Sequence, residues 1–281
     1  MTATMTATVT ATVTATVTTI AAIQMVSTPD VAHNIASARR LVAQAASAGA
    51  TLVSLPEYWP IMGMTEFDKV GCAEQPGDGP IQRCMAQAAR EHGIWLIGGT
   101  LPLVSDDAAK VMNTTLVYNP DGEAVGRYDK IHLFGFNQGR EAYDEARTIV
   151  PGEKIGSFEA PFGRVGLSVC YDLRFPELYR AMGECALMVV PAAFTHTTGR
   201  AHWEVLLRAR AIENQCYVLA AAQGGMHQNG RRTFGHSMLV DPWGEVKTVL
   251  AEGEGVAVGV VDVGFLAGVR QSLPALKHRK L

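Results

Sequence analysis

The chain has 281 residues, of which 48% are hydrophobic, and its formal net charge is −3. This length and apolar content suffice for a full-sized core that needs no disulfide or metal to fold. The only basic run is the KHRK segment at residues 277–280, so the charge pattern excludes a nucleic-acid-binding protein that relies on a basic surface.

The first eighteen residues form the low-complexity repeat MTATMTATVTATVTATVT. The repeat lacks the basic and continuous apolar regions of a signal peptide and offers little selective packing, so we predict a disordered or loosely attached tail over residues 1–18. No stretch approaches the roughly 20 uninterrupted apolar residues that span a bilayer. Residues 19–281 contain no Pro/Gly/Ser-rich linker and are predicted to form one domain.

Strand and helix patterns alternate after the tail. Buried strands are predicted at residues 19–25, 51–57 and 94–100, and helices at residues 34–48 and 80–93. This alternation is typical of the α/β class.

Two segments share the turn pattern [N/D]-P-x-G-E, and each predicts a β-hairpin. The turns lie at residues 119–122 and 241–244. They form a weak internal repeat, which suggests two similar halves within one domain. Between the hairpins, buried strands are predicted at residues 164–169, 186–192 and 216–222, and an amphipathic helix at residues 202–214 with an apolar face through Val205, Leu206, Ala209 and Ile212.

The five cysteines suggest a reduced protein of the cytoplasm. Their number is odd, and neither a Cys-x-x-Cys pair nor a Cys/His ligand spacing occurs. We therefore predict neither a disulfide framework nor a zinc site. Apolar patterns predict core positions for Cys84, Cys185 and Cys216, whereas the place of Cys72 stays open.

Cys170 differs from the other cysteines because it ends a predicted strand shortly before Pro176, a favourable first residue for a helix. Such a strand-to-helix turn exposes the sulfur and offers backbone N–H groups to a developing oxyanion. The alternative is that Cys170 is one more small buried apolar residue.

A thiol is a useful nucleophile only as the thiolate, so Cys170 needs a base or a positive charge nearby. One option is a Cys–His pair, for which the candidates are His132, His196 and His236. The other option is Glu57 with Lys130, since each ends a predicted strand and functional side chains collect at such ends. Each charge taken alone is better explained as a solvated surface residue. Their joint occurrence with Cys170 at three strand ends favours an active site.

Three motifs contain these residues: LPEYW around Glu57, YDKIHLF around Lys130 and VCYDLRFPE around Cys170. They resemble the three signatures of the nitrilase superfamily of carbon-nitrogen hydrolases. The resemblance extends from about residue 20 to the C-terminus. Two further stretches, PAAFTHTTGRAHWEVLLRARAIENQCYVLAAAQ and GHSMLVDPWGEV, are similar to the amidase branch that hydrolyses deaminated glutathione, whose nearest relatives are ω-amidases.

The resemblance implies a four-layer α-β-β-α sandwich, in which two sheets pack face to face and helices cover both outer sides. Members of the superfamily usually pair through a sandwich face into an eight-layer dimer, and some assemble further. A homodimer or a higher homo-oligomer is therefore expected. The other partner implied is a small-molecule amide, and neither nucleic acid nor membrane is expected as a partner.

The resemblance also implies the roles of the site residues. Glu57 is the expected general base, Lys130 the cationic stabiliser and Cys170 the nucleophile. Glu145, in YDEARTIVPGE, matches a fourth residue that orients the lysine, with Glu141 and Asp144 as alternatives. Lys130 and the backbone N–H of Tyr171 are expected to hold the oxyanion, and no metal or organic cofactor is expected.

For the substrate carboxylate, the first candidate is Arg174, because a planar guanidinium suits a carboxylate. Its alternative role is to pair with Asp172 or Glu177 and fix the turn. Phe194, Thr195 and His196 are expected to line the same pocket.

The resemblance favours hydrolysis of deaminated glutathione to 2-oxoglutarate and Cys-Gly through a thioester. The alternatives are an ω-amidase acting on 2-oxoglutaramate, a nitrilase, and a non-catalytic redox sensor with Cys170 as its oxidisable switch.

Overall fold

A computed structural model describes residues 17–138 and 141–280. The predicted tail therefore lies outside the described residues up to residue 16, and the first strand begins at Val17. The strands are β1 (Val17–Gln24), β2 (Leu52–Ser54), β3 (Trp95–Ile97), β4 (Leu101–Val104), β5 (Val111–Tyr118), β6 (Ala124–Asp129), β7 (Gly135–Gln138), β8 (Glu141–Asp144), β9 (Ile149–Val150), β10 (Gly156–Ala160), β11 (Gly163–Leu167), β12 (Leu187–Val189), β13 (Tyr217–Ala220), β14 (Gly224–Met226), β15 (Arg232–Phe234), β16 (Met238–Val240), β17 (Val246–Val249) and β18 (Gly255–Asp262). The α-helices are α1 (Val31–Ser47), α2 (Asp68–Gly71), α3 (Pro80–His92), α4 (Pro176–Ala181), α5 (His196–Asn214) and α6 (Val263–Ser272), and 3-10 helices occupy Glu145–Arg147, Cys170–Arg174 and Ala275–His278.

Within the described residues, the strands form two large sheets and two ribbons. The first sheet has the order β18-β1-β2-β3-β5-β4, with β6 and β9 also paired to β5, and the second has the order β10-β11-β12-β13-β16-β17. The ribbons are β7-β8 and β14-β15. Each sheet has a parallel centre, β1-β2-β3 in one and β11-β12-β13 in the other.

The side chains of β1 alternate between two hydrophobic clusters, as the two-residue period of a strand requires. Ile20 and Ala22 pack in the cluster that contains the second sheet and α5. Ala21 and Ile23 pack with α1 and α3 on the opposite face. The predicted α/β class and the α-β-β-α order of layers are therefore confirmed.

Several predicted elements are confirmed. Both [N/D]-P-x-G-E turns close hairpins, β5-β6 and β16-β17, and in each the turn glycine donates its N–H to the first turn residue at 2.9 Å. Helix α3 begins at Pro80 and stops at Gly93, whose φ of 61° is the left-handed conformation that ends many helices. Cys84, Cys185 and Cys216 lie in the core as predicted, and Cys72 is half-buried.

The prediction for α5 was wrong in its start and in its buried face. Thr195 caps the helix by accepting the N–H of Thr198 at 3.2 Å, so the helix begins at His196 rather than at residue 202. The buried face contains Trp203, Leu207, Arg210 and Ala211. Of the predicted face, Leu206 and Ala209 are half-buried, whereas Val205 is 60% and Ile212 49% exposed.

Candidate active site

Glu57 lies just beyond the carboxyl end of β2 and is fully buried. Its Oε1 accepts hydrogen bonds from Lys130 Nζ at 2.8 Å and Asn113 Nδ2 at 3.0 Å. Its Oε2 accepts the backbone N–H of Ala193 at 3.0 Å. The carboxylate is therefore held by one cation and two neutral donors that come from both sheets.

Lys130 follows β6 and is also fully buried. Its Nζ donates to Glu57 Oε1 and contacts both carboxylate oxygens of Glu145, at 3.0 and 2.7 Å. Burial acts to lower the pKa of Lys130, but the charges of Glu145 and Glu57 outweigh it and raise the pKa above its ordinary value. The lysine therefore stays cationic although it is buried.

Glu145 is the carboxylate, among the three considered from the sequence, that the structure brings to Lys130. Its carboxylate also accepts hydrogen bonds from the Tyr58 hydroxyl and from the backbone N–H of Phe134, each at 2.7 Å. Burial opposes ionisation of Glu145, but Lys130 and these donors lower its pKa below the ordinary value. Asp144 precedes it at the end of β8, and the side chain of Glu141 lies outside the described residues.

Cys170 opens the 3-10 helix that follows β11, and its backbone N–H donates to Pro191 at 2.9 Å. Its φ of 49° is left-handed, a conformation that costs a non-glycine residue about 1–3 kcal/mol. The first N–H-to-C=O bond of this turn runs from Asp172 to Val169. The N–H of Tyr171 precedes that bond and has no partner within the helix. The strand-to-helix turn predicted for the thiol is thus present.

The thiol of Cys170 is buried, and its pKa is raised well above the ordinary value. Burial is the main cause, the charge of Glu57 adds to it, and the charge of Lys130 partly offsets it. The resting group is therefore a protonated thiol that must lose its proton before it can attack a carbon.

Asp172 anchors the turn that contains Cys170. Its Oδ2 accepts Tyr128 Oη at 2.7 Å and the N–H of Val169 at 2.8 Å, and its Oδ1 accepts the N–H of His132 at 3.0 Å. The His132 ring nitrogen Nδ1 is a further 2.7 Å from Oδ1. The carboxylate nearest to Cys170 in the sequence therefore joins the turn to the segment around Lys130.

None of the three candidate histidines is brought to the thiol. His132 is bound to Asp172 and stacks on Phe175 with 3.7 Å between ring centroids. His236 contacts the carbonyl of Phe234 at 2.8 Å, and His196 lies 3.7 Å from Glu252. The structure instead gathers Glu57, Lys130 and Glu145 around Cys170.

A cavity opens beside the thiol. It is lined by Phe134, Glu145, Cys170, Tyr171, Arg174, Ala193, Phe194, Thr198 and Arg231. Arg174 and Phe194 thus lie where the substrate was expected, with the Arg174 guanidinium 5.4 Å from the Phe194 ring centroid. Arg174 forms no ion pair with Asp172 or Glu177, and its Nη1 contacts His202 Nδ1 at 3.1 Å.

Thr195 and His196 do not line this cavity, contrary to the expectation. Thr195 is the N-cap of α5, and its side chain is held by the backbone at the start of the helix. His196 is the first residue of the helix, and its side chain points towards Glu252. Thr198, in the first turn of the helix, lines the cavity instead.

The sequence also gave no role to Tyr58, Asn113, Ala193 and Arg231. Tyr58 directly follows Glu57 in the LPEYW motif, which is a usable signal. Asn113, Ala193 and Arg231 reach the site through tertiary contacts, and no local sequence pattern marks them. Within residues 17–138 and 141–280, no group of three or more His, Cys, Asp or Glu side chains is placed to hold a metal ion. None of the helices described is both long enough and apolar enough to cross a membrane.

The family model described as carbon-nitrogen hydrolase matches residues 19–271. The chain is 40% identical over 265 residues to a deaminated glutathione amidase of Synechocystis sp., covering 92% of this chain and 97% of the relative. It is 38% identical to omega-amidase NIT2 of Mus musculus, covering 93% and 94% of the two chains. The crystal structure of the NitFhit protein of C. elegans superposes with a TM-score of 0.85 at 38% identity, over 94% of this chain and 65% of that one.

Proposed function

The chain belongs to the carbon-nitrogen hydrolase family, and from this premise we propose that it hydrolyses the amide bond of deaminated glutathione, releasing 2-oxoglutarate and Cys-Gly. The observation that carries the chemistry is the buried Glu57–Lys130–Glu145 network beside the Cys170 thiol. The substrate is supported by the identity to the deaminated glutathione amidase over nearly the whole of both chains.

In the first step, Glu57 takes the proton of Cys170 and the thiolate attacks the amide carbonyl. The high pKa of the thiol means that little thiolate exists before substrate arrives. A positioned base takes the proton as the sulfur attacks, so no free thiolate has to form beforehand. General-base catalysis of this kind contributes about 10²–10⁴-fold in rate.

The oxyanion that forms is held by Lys130 and the backbone N–H of Tyr171. The three hydrogens of the lysine ammonium already face carboxylate oxygens of Glu57 and Glu145. Protonation of Glu57 weakens its bond to Lys130 at the moment when the oxyanion appears, and one hydrogen becomes free to turn towards it. Each such donor contributes about 3 to 4 kcal/mol to transition-state stabilisation.

In the second step, Glu57 gives its proton to the leaving amine, the C–N bond breaks, and the acyl group remains on Cys170 as a thioester. A water molecule then loses a proton to Glu57 and attacks the thioester carbonyl. The C–S bond breaks, the acid is released and the thiol regains its proton. Glu145 keeps Lys130 in place throughout, because Tyr58 and Phe134 fix its carboxylate.

For the acyl part of the substrate, Arg174 is proposed to bind the carboxylate of the 2-oxo acid. It lies four residues after the nucleophile on the same turn, and no described carboxylate is within ion-pair distance of it. The similarity to omega-amidase NIT2 supports one further candidate reaction, hydrolysis of 2-oxoglutaramate, which has the same acyl group.

We further propose a cytoplasmic homodimer with one catalytic domain over residues 19–281. The support for the dimer is the open apolar face of α5. Val205, Ile212 and Val249 are all about half exposed or more and line one groove. A second molecule would remove this apolar surface from water.

The experiment that tests the function is a hydrolysis assay with purified protein. We expect release of 2-oxoglutarate and Cys-Gly from deaminated glutathione, and loss of this activity in Cys170→Ala with an unchanged circular dichroism spectrum. Cys84→Ala, another buried cysteine, is the matched control and should stay active. Activity retained by Cys170→Ala would remove the thiol from the mechanism.

A further inference from the structure

Arg231 lies on the wall of the thiol cavity, and no step of the proposed mechanism uses it. It directly precedes β15, and its Nη2 donates to the carbonyl of Ala193 at 2.8 Å. Its guanidinium lies 5.0 Å from the ring centroid of Tyr143. The Nε atom is buried and has no hydrogen-bond partner among the described residues. A ligand cannot reach this buried atom directly, but Nη1 forms no hydrogen bond with the described residues and is not buried, so the guanidinium keeps a donor for an acceptor that is not part of the chain.

The charge balance of the cavity points to an anionic ligand. The walls contain two guanidinium groups, Arg174 and Arg231, and one carboxylate, Glu145. Lys130 contacts both Glu145 and Glu57, so these three groups together carry one negative charge against the two positive charges of the arginines. The described contacts of Arg174 and Arg231 include no ion pair, although the charges of Glu66 and Glu57 act on Arg231 from a greater distance. A guanidinium group that has no carboxylate partner within the protein favours a carboxylate ligand, which it binds through paired N–H donors.

Arg231 also lines a second cleft that adjoins the cavity. Its other walls include Tyr58, Met62, Glu66, Lys69 and Asn229. The charges of Glu66 and Lys69 satisfy each other at 2.8 Å. Of the two arginines, Arg174 lies on the turn of the nucleophile, whereas Arg231 stands between the thiol cavity and this outer cleft.

Deaminated glutathione has a carboxylate on each side of the bond that is cut. One belongs to the 2-oxo acid, which stays on Cys170 as the thioester, and the other belongs to the glycine of the leaving group. We propose that Arg231 binds the glycine carboxylate of the Cys-Gly leaving group. This assignment rests on the proposed function. It makes Arg231 the residue that distinguishes a dipeptide leaving group from ammonia.

The test compares deaminated glutathione, its C-terminal carboxamide and 2-oxoglutaramate as substrates of the wild type and of Arg231→Met. In the variant, kcat/KM for deaminated glutathione should fall about tenfold to a hundredfold further than kcat/KM for 2-oxoglutaramate. The carboxamide should be a poorer substrate of the wild type by a similar factor, and Arg231→Met should remove this discrimination. Arg231→Lys keeps the charge, so its discrimination between the substrates should lie between those of the wild type and Arg231→Met. It replaces the methionine variant if that variant does not fold.

The matched control is Arg232→Met, because Arg232 is the next residue, is exposed and pairs with Glu252 at 2.7 Å. This variant should leave the ratio of kcat/KM for deaminated glutathione to kcat/KM for 2-oxoglutaramate unchanged. A structural role for Arg231 through Ala193, whose N–H binds Glu57, would slow all substrates equally, and that result overturns the inference alone. A wild-type enzyme that is inactive on deaminated glutathione overturns the proposed function and this inference with it.

Discussion

Cys170 and Glu57 are in electrostatic conflict in the resting enzyme. The charge of Glu57 raises the pKa of the thiol beyond the increase that burial causes, yet the same carboxylate is the proposed acceptor of the thiol proton. The conflict disappears when the proton moves, because Glu57 becomes neutral while sulfur becomes negative beside Lys130. The site thus stabilises the thiolate during catalysis and disfavours it at rest.

Glu57→Gln should separate these two effects. Removal of the carboxylate charge lowers the pKa of Cys170, so the midpoint of the pH profile for alkylation by iodoacetamide should move to lower pH. Hydrolysis should nevertheless fall by about 10²–10⁴-fold, because glutamine cannot accept the proton. Glu123→Gln, in the exposed first hairpin turn, is the control. An alkylation midpoint that stays in place or rises would contradict this account.

At this scale, the sequence predicted the residues that lie at strand ends and missed those brought in by tertiary contact. Glu57, Lys130 and Cys170 each belong to a motif whose position along a strand is readable. Asn113 lies within β5 and Ala193 follows β12 in a run of alanines, so neither has a local pattern that marks it as a ligand of Glu57.

Among the structural elements, the 3-10 turn at Cys170–Arg174 depends on Asp172 for its position. This carboxylate joins the turn to Tyr128 in β6 and to His132 beyond it. The nucleophile and the end of the lysine strand therefore share one buried anchor, and a shift of the anchor would alter their relative position.

Asp172→Asn should destabilise the protein and slow catalysis. The amide NH2 group would face a donor, either the N–H of Val169 or that of His132, and leave it unpaired. We expect a loss of about 1–3 kcal/mol in the free energy of unfolding, measured by denaturant titration.

The matched control for this loss is Asp30→Asn, the same substitution at the N-cap of α1. Asparagine caps helices as well as aspartate does, so this variant should be nearly neutral. Equal stability of the two variants would exclude an anchoring role for Asp172.

The type of an element was predictable from the sequence where the signal is local. The residues at which an element begins and ends were not predictable where they depend on tertiary contacts. Pro80 and Gly93 mark both ends of α3 in the sequence. By contrast, Thr195 is a cap only because the chain turns there, and the apolar stripe of α5 through Val205 is as regular as the buried stripe through Leu207. Periodicity identifies a helix but cannot say which of two stripes the sheet covers.

On the scale of the whole molecule, the exposed stripe of α5 sets an expectation for assembly. Val205→Glu should convert a dimer into a monomer in light scattering, because the interface would have to bury an unpaired carboxylate. Val205 is exposed in the single chain, so the free energy of unfolding of the monomer, measured at concentrations at which the dimer dissociates, should change by no more than about 0.5 kcal/mol.

The control for assembly is Val125→Glu, at an exposed position of β6, which should leave the dimer intact. A wild-type protein that is monomeric, or a Val205→Glu variant that remains dimeric, would contradict the proposed interface.

The pairing of β1 with β18 has a consequence for biosynthesis. Val17 lies opposite Asp262 and Gln24 opposite Gly255, so β1 cannot complete its pairing until β18 has been synthesised. The first sheet remains incomplete until residues 255–262 have been synthesised, and such long-range pairing is slow to form. Until then, one edge of β1 stays unpaired and is open to pairing with another chain.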